Sequence, residues 1–213
     1  MEKRTVIIAG ASGLVGREIL QGLLDDPSVA SVHSLGRRPP AASHPKLTAH
    51  VADFTALPTL PRADEVYLAL GTTIKVAGSQ PAFRAVDYDA NLAVATAALA
   101  AGARKLGLVS AMGADPASSV FYNRVKGELE SALTQLQFDG LVIARPSLLV
   151  GDRSRLGQPT RRGEELGFAL GQALGFLIPR NYKPIQATAV AHALLAAVPS
   201  AHGKIVLLSG AMR

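Results

Sequence analysis

Thr5-Val6-Ile7-Ile8-Ala9-Gly10-Ala11-Ser12-Gly13-Leu14-Val15-Gly16 is the stretch on which the reading of this chain turns. Thr5–Ala9 is a short apolar run rich in β-branched residues, glycines follow at every third position, and apolar residues then recur at helical spacing to about Leu24. That is a strand, a glycine turn and a helix from about Gly13 to Leu24. The same alternation continues outward. Val29–Leu35, Leu47–Ala52 and Glu65–Leu70 read as strands, and an Ala-rich helix runs from about Gln80 to Ala101, where Gly102 can cap it. Lys105–Val109 and Leu141–Ala144 are further strands flanking a helix at about Ser118–Gln137. Beyond Arg145-Pro146 the pattern loosens: 151–184 is rich in Arg, Gly and Pro and carries one helical pattern, about Arg162 to Gly175. A helix at about Ala187–Val198 and a last strand, Lys204–Ser209, close the chain. Continuously apolar strands alternating with helices require a sheet covered on both faces. The expected fold is α/β: a doubly wound, mainly parallel, three-layer sandwich that binds its ligand at the C-terminal ends of the strands.

With 213 residues and no evident linker, the chain is expected to form one domain over 1–213, with 151–186 covering the substrate. The absence of cysteine excludes disulfides, thiolate zinc sites and cysteine nucleophiles. No apolar run approaches the roughly 18 residues of a membrane span. Met1-Glu2-Lys3-Arg4 leads into the first strand without the apolar stretch of a signal peptide, so a cytoplasmic protein is expected. The net charge of +6 raises the question of nucleic acid, but the basic residues are scattered, and six Phe, four Tyr and no Trp make sparse stacking platforms. No specific nucleic-acid partner is expected. Histidines 33, 44, 50, 192 and 202 form no metal-ligand cluster in sequence, and no metal is expected.

Gly10, Ser12, Gly13, Leu14, Val15 and Gly16 form the expected phosphate-binding turn. Gly10 permits the tight turn, Gly13 lets backbone approach a pyrophosphate, and Gly16 allows close helix–strand packing. Unpaired N–H groups and the positive helix end then face the phosphates of a dinucleotide, as in a Rossmann domain. After the second strand, where an NAD-selective domain offers Asp or Glu to the ribose, this chain has Arg37-Arg38. Two guanidinium forks suit a 2′-phosphate, so NADP(H) is preferred, with NAD(H) as the alternative. The competing reading is a pair of exposed, solubilising arginines. Asp53-Phe54 stands where an adenine edge and face would lie, although Asp53 equally suits a turn cap. Gly71-Thr72-Thr73 follows the fourth strand, beside the expected pyrophosphate and nicotinamide ribose.

Ser110 ends the fifth strand, and Tyr122-Asn123-Arg124-Val125-Lys126 sets a phenol and an ammonium on one face of the following helix. Reducing a ketone develops negative charge on oxygen, which needs a proton donor and hydrogen bonds. Tyr122 would donate the proton, Ser110 would orient and polarise the carbonyl, and Lys126 would hold the nicotinamide ribose. Each also has a structural reading: a strand-end hydrogen bond, a packing residue and a solvated helix position.

Gly10-x-x-Gly13-x-x-Gly16, Ser110 and Tyr122-x-x-x-Lys126 together resemble the short-chain dehydrogenase/reductase superfamily over almost the whole chain. Val109–Asp115, Phe121–Glu128 and Arg145–Leu149 are closest to its compact atypical branch, which includes the Tat-interacting-protein-like oxidoreductases. The resemblance implies NADP(H) binding and contact of Pro146 with the nicotinamide carboxamide. Many members carry an Asn in the preceding helix that organises a proton relay; here Asp87 and Asn91 are nearby, and neither is placed in the catalytic set. Three functions compete. The first is an NADP(H)-dependent oxidoreductase acting on a small carbonyl or alcohol. The second is a nucleotide-dependent epimerase or dehydratase, for which there is little room. The third is an NADP(H)-binding redox sensor or partner-binding module without turnover. Either a monomer or a homodimer is compatible with the apolar helices.

Overall fold

The computed structural model describes residues 3–150 and 179–213. The expected helix at Arg162–Gly175, the basic residues Arg153 and Arg155, and most of the expected covering segment 151–186 lie outside the described residues. The main sheet has seven strands: β1 (Arg4–Ala9), β2 (Val29–Gly36), β3 (Leu47–Val51), β4 (Glu65–Leu68), β5 (Lys105–Val109), β6 (Gly140–Arg145) and β9 (Gly203–Leu208). Their order is β3-β2-β1-β4-β5-β6-β9, and every pairing is parallel. The chain turns back at β1, so β1 and β4 flank the switch point at which this architecture binds ligands. All seven strands are where the apolar runs put them, within two residues. A smaller parallel pair, β7 (Leu149–Val150) with β8 (Ile185–Gln186), is too short to leave a periodic trace.

Both faces are covered. One layer consists of α1 (Leu14–Asp25) and α6 (Ala187–Ala197), whose Ile19, Leu23, Val190 and Leu194 share a core with Val6, Ile8 and Val32. The other consists of α4 (Asn91–Ala100) and α5 (Phe121–Gln135), which bury Val94, Ala98, Leu129 and Leu133 against Ile7, Leu68 and Leu108. The central strands are buried on both faces, which explains why they read as unbroken apolar runs. Edge strand β3 instead exposes Thr48, Ala49 and Val51.

The expected helix over Gln80–Ala101 is interrupted. It begins as α3 (Gln80–Arg84), widens into a π-helical turn (Ala85–Ala90) and resumes as α4. Gly102, at φ +102°, ends it as expected. A further short helix, α2 (Ile74–Ala77), is capped by Thr73, whose hydroxyl accepts the Val76 N–H at 3.2 Å. On the sheet face away from α1, His33 Nδ1 of β2 lies 3.1 Å from His50 Nε2 of β3.

Candidate functional site

The glycine turn has the geometry that a phosphate cradle needs. Gly10 adopts φ +89°, and a Cβ there would lie 2.5 Å from the carbonyl carbon of Ala69. A Cβ on Gly16 would overlap the Gly10 carbonyl oxygen. Glycine is therefore required at both positions, by conformation at the first and by contact at the second. Gly13 caps α1 with no side-chain hydrogen bond, and the first turn of α1 has no acid. Its leading N–H groups and positive end suit a pyrophosphate. Arg37 and Arg38 are both exposed just past β2. Asp53 caps its own turn: Oδ1 accepts the Thr55 N–H at 2.9 Å and the Thr55 hydroxyl at 2.8 Å. These bonds, the backbone one foremost, hold its carboxyl below the usual range. Phe54 lines an open groove with Leu57 and the α4 residues Leu92 and Ala93. None of Ser110, Tyr122 and Lys126 is among the residues that line that groove.

The turn after β4 is tied to α5 through a residue that sequence reasoning left aside. Asp87, fully buried in the π-helical turn, accepts the Thr72 N–H on Oδ2 at 2.8 Å. Its Oδ1 meets the Lys126 ammonium at 2.7 Å, aligned as an ion pair rather than as a directed hydrogen bond. A Cβ on Gly71 would lie 3.5 Å from Asp87 Oδ1 and 3.9 Å from Lys126 Nζ. Gly71, Thr72, Asp87 and Lys126 thus form one cluster beside the switch point. Asn91 follows the π turn. Its Nδ2 donates toward the carbonyls of Leu70, Val86 and Asp87, while its buried Oδ1 has no partner among the described residues.

Tyr122 opens α5, half-buried, with its ring 5.5 Å from that of the fully buried Phe83. Lys126 and Glu130 continue along the same helix at successive four-residue steps, both buried. Ser110 is 6% exposed, and its hydroxyl donates to Glu130 Oε1 at 2.5 Å. The Glu130 carboxylate also takes the Arg145 fork, with Nε 3.0 Å from Oε1 and Nη2 2.5 Å from Oε2. An ionised carboxylate only accepts, so the Ser110 proton is held by Glu130 and the serine offers lone pairs to anything else. Polarising a carbonyl would require that proton to leave Glu130. Pro146 is buried after β6, and its carbonyl accepts the Met112 N–H at 2.8 Å.

Glu130 is the polar residue that motif reading missed, and Asp87 is one that it weighed and left out of the site. Glu130 had a signal, since it extends the Tyr122–Lys126 spacing by another four residues. Asp87 was a candidate whose register was open, because its partners, Thr72 and Lys126, come from different elements.

A family profile described as NAD(P)H-binding matches residues 10–165. Protein FMP52, mitochondrial, from Coccidioides immitis is 35% identical over 189 residues, covering 81% of this chain and 75% of that protein. Protein HTATIP2 from Rattus norvegicus is 36% identical over 173 residues, covering 78% and 69%. Among solved structures, a short chain dehydrogenase family protein from Francisella tularensis superposes with a TM-score of 0.70 at 13% identity, over 98% of each chain, and shows the shared fold. The expectation of a cytoplasmic protein is corrected by the mitochondrial designation of FMP52 relatives from several fungi. Lack of a leader-like N-terminal run was its basis, and an apolar run is only one of several addresses a chain can carry. No helix among the described residues is long and apolar enough to cross a membrane. With its glycine cradle at the switch point of a parallel sheet, this chain belongs to the NAD(P)H-binding family, as an atypical short-chain dehydrogenase/reductase of the Tat-interacting-protein-like branch.

Proposed function

We propose that the chain is an NADP(H)-dependent oxidoreductase that transfers hydride to or from a small carbonyl or alcohol. The observation that carries this reading is the anchoring of Lys126 beside Gly71-Thr72, at the strand ends where the cradle of α1 opens. Gly10–Gly16 and the α1 terminus would hold the pyrophosphate, and Arg37-Arg38 the 2′-phosphate. A reduced nicotinamide held there would supply the hydride that the carbonyl carbon takes up. Tyr122 gives its phenolic proton to the carbonyl oxygen, so the ketone gains two electrons and two hydrogens and leaves as the alcohol; oxidation reverses both transfers. Lys126, one helical turn from the phenol, would donate to the nicotinamide ribose. Pro146 would meet the carboxamide. Ser110, with its own proton on Glu130, accepts from the phenol or from a substrate hydroxyl.

That commitment of the Ser110 proton favours a second reading, an NADP(H)-binding sensor without turnover. One experiment separates the two. NADPH and NADH are titrated by fluorescence, and NADPH oxidation is then followed across a panel of small ketones and aldehydes with wild type and Tyr122→Phe. Tighter NADPH binding with turnover that falls by about 100-fold or more in the variant is expected. Stoichiometric binding with no oxidation across the panel would assign the sensor, and tighter NADH binding would reject the role of Arg37-Arg38.

A further inference from the structure

His33 and His50 form a pair of imidazoles outside the cluster assigned to hydride transfer. They stand on neighbouring parallel strands, β2 and the edge strand β3, whose register pairs His33 with Thr48 and Leu35 with His50. The two rings are therefore diagonal neighbours on one sheet face, the one that Ile7 and Leu35 share. His33 Nδ1 and His50 Nε2 approach to 3.1 Å, with ring centroids 5.3 Å apart and ring planes 40° apart. Both residues are half-buried, and Thr48 beside them is exposed, so the pair is not sealed from solvent. Seventeen residues separate the two histidines, which is why the sequence alone gives no cluster and no expected metal.

Zinc–imidazole bonds are about 2.0–2.1 Å long, so two nitrogens on one ion lie about 2.9 Å apart at a right angle and about 3.4 Å apart at the tetrahedral angle. The separation of 3.1 Å falls inside that range. Without an ion, one ring donates its N–H to the other. Binding moves that proton, through water, to the far nitrogen of the same ring, which leaves both rings neutral and both facing lone pairs free to converge. We propose that His33 and His50 form a two-nitrogen site for a divalent transition-metal cation of the zinc class at the edge of the sheet. Among the described residues no group of three or more His, Asp or Glu could hold an ion, so water completes the coordination here. Such a donor set selects Zn2+ over Mg2+, which demands oxygen ligands. Strand β3 pairs only with β2, so the ion would staple this edge strand to the body of the sheet. Arg37-Arg38 follows one of the stapled strands and Asp53-Phe54 the other.

Zn2+ alone is the probe, and the full chain is first stripped with a chelator. Equilibrium dialysis should show saturable Zn2+ binding in wild type and none of Mg2+. His33→Gln and His50→Gln should each weaken it by about tenfold or more, since loss of even a supporting contact costs that much. Carbethoxylation with diethyl pyrocarbonate, read residue by residue by mass spectrometry, locates the ion: Zn2+ should protect His33 and His50 and leave the exposed His192 and His202 reactive. Urea unfolding then reports the staple, because an ion that binds the folded chain raises its midpoint, in wild type and in neither variant. Failure to bind at millimolar Zn2+, affinity within about twofold of wild type in both variants, or protection spread evenly over all the histidines overturns the proposal. If one variant does not fold, the other decides; if neither folds, the protection pattern of wild type does.

Discussion

Gly127→Ala offers a test in which two physical effects predict opposite signs. Glycine inside a helix is less favourable than alanine by about 0.5–1 kcal/mol, so on propensity alone the substitution should stabilise α5. The structure predicts the reverse. A Cβ on Gly127 would lie 2.6 Å from the Asp115 nitrogen and closer still to the Asp115 carbonyl carbon and the Pro116 nitrogen, all of them backbone atoms. Restoring ordinary contact requires α5 and the 115–116 turn to separate by about 1 Å, which for overpacking costs about 1–3 kcal/mol. That corresponds to a Tm lower by roughly 2–12 °C for a chain of this size. The displaced helix carries Tyr122 and Lys126, and a misplacement of about 1 Å is worth about 100-fold in rate. Urea unfolding monitored by circular dichroism gives the stability, and NADPH oxidation on any substrate found gives the rate. A variant as stable as wild type or more stable would refute the claim that the post-β5 turn presses on this helix.

Two further outcomes follow from buried polar groups. Burial first, and then the charge of His50, lower the pKa of His33, so the fold favours its neutral form. Its contribution is therefore present above the ordinary His value of about 6.5 and is lost as pH falls through the lowered folded value. Chemical denaturation between pH 7.5 and 5 should show stability declining with acid, and a flatter profile in His33→Gln would confirm the source. Glu130→Gln should cost roughly 2–3 kcal/mol, since it weakens the Arg145 fork and leaves Ser110 without its anionic acceptor, whereas Ser110→Ala should cost about 1 kcal/mol. Equal losses in the two variants, measured by urea titration, would contradict the ordering.

How much was legible in the residues depended on how local each cause was. Strands β1, β4 and β6 are buried on both faces, so burial forces an unbroken apolar run that can be read directly. Gly10 and Gly16 were legible because steric demands at a turn select one residue type. The Asp87–Lys126 and Ser110–Glu130–Arg145 contacts join residues separated by 15 to 39 positions, and their partners are set by how layers stack. Nothing in the composition of Ala85–Ala90 distinguishes a π-helical turn from an α-helical one, because the difference is one residue in the hydrogen-bond ring. Asp53 had two legible roles, and the Thr55 bonds show the capping one in place.

The pairing of α1 with α6 sets the order in which the molecule can be completed. One helix comes from the first twenty-five residues and the other from beyond residue 186, yet they share a core. A nascent chain emerging from the ribosome must therefore carry Ile19, Leu20 and Leu23 without their α6 partners until Ala187–Ala197 is synthesised. During that interval these residues are a natural substrate for chaperones, and shortening the C-terminus should yield aggregation rather than a smaller working protein.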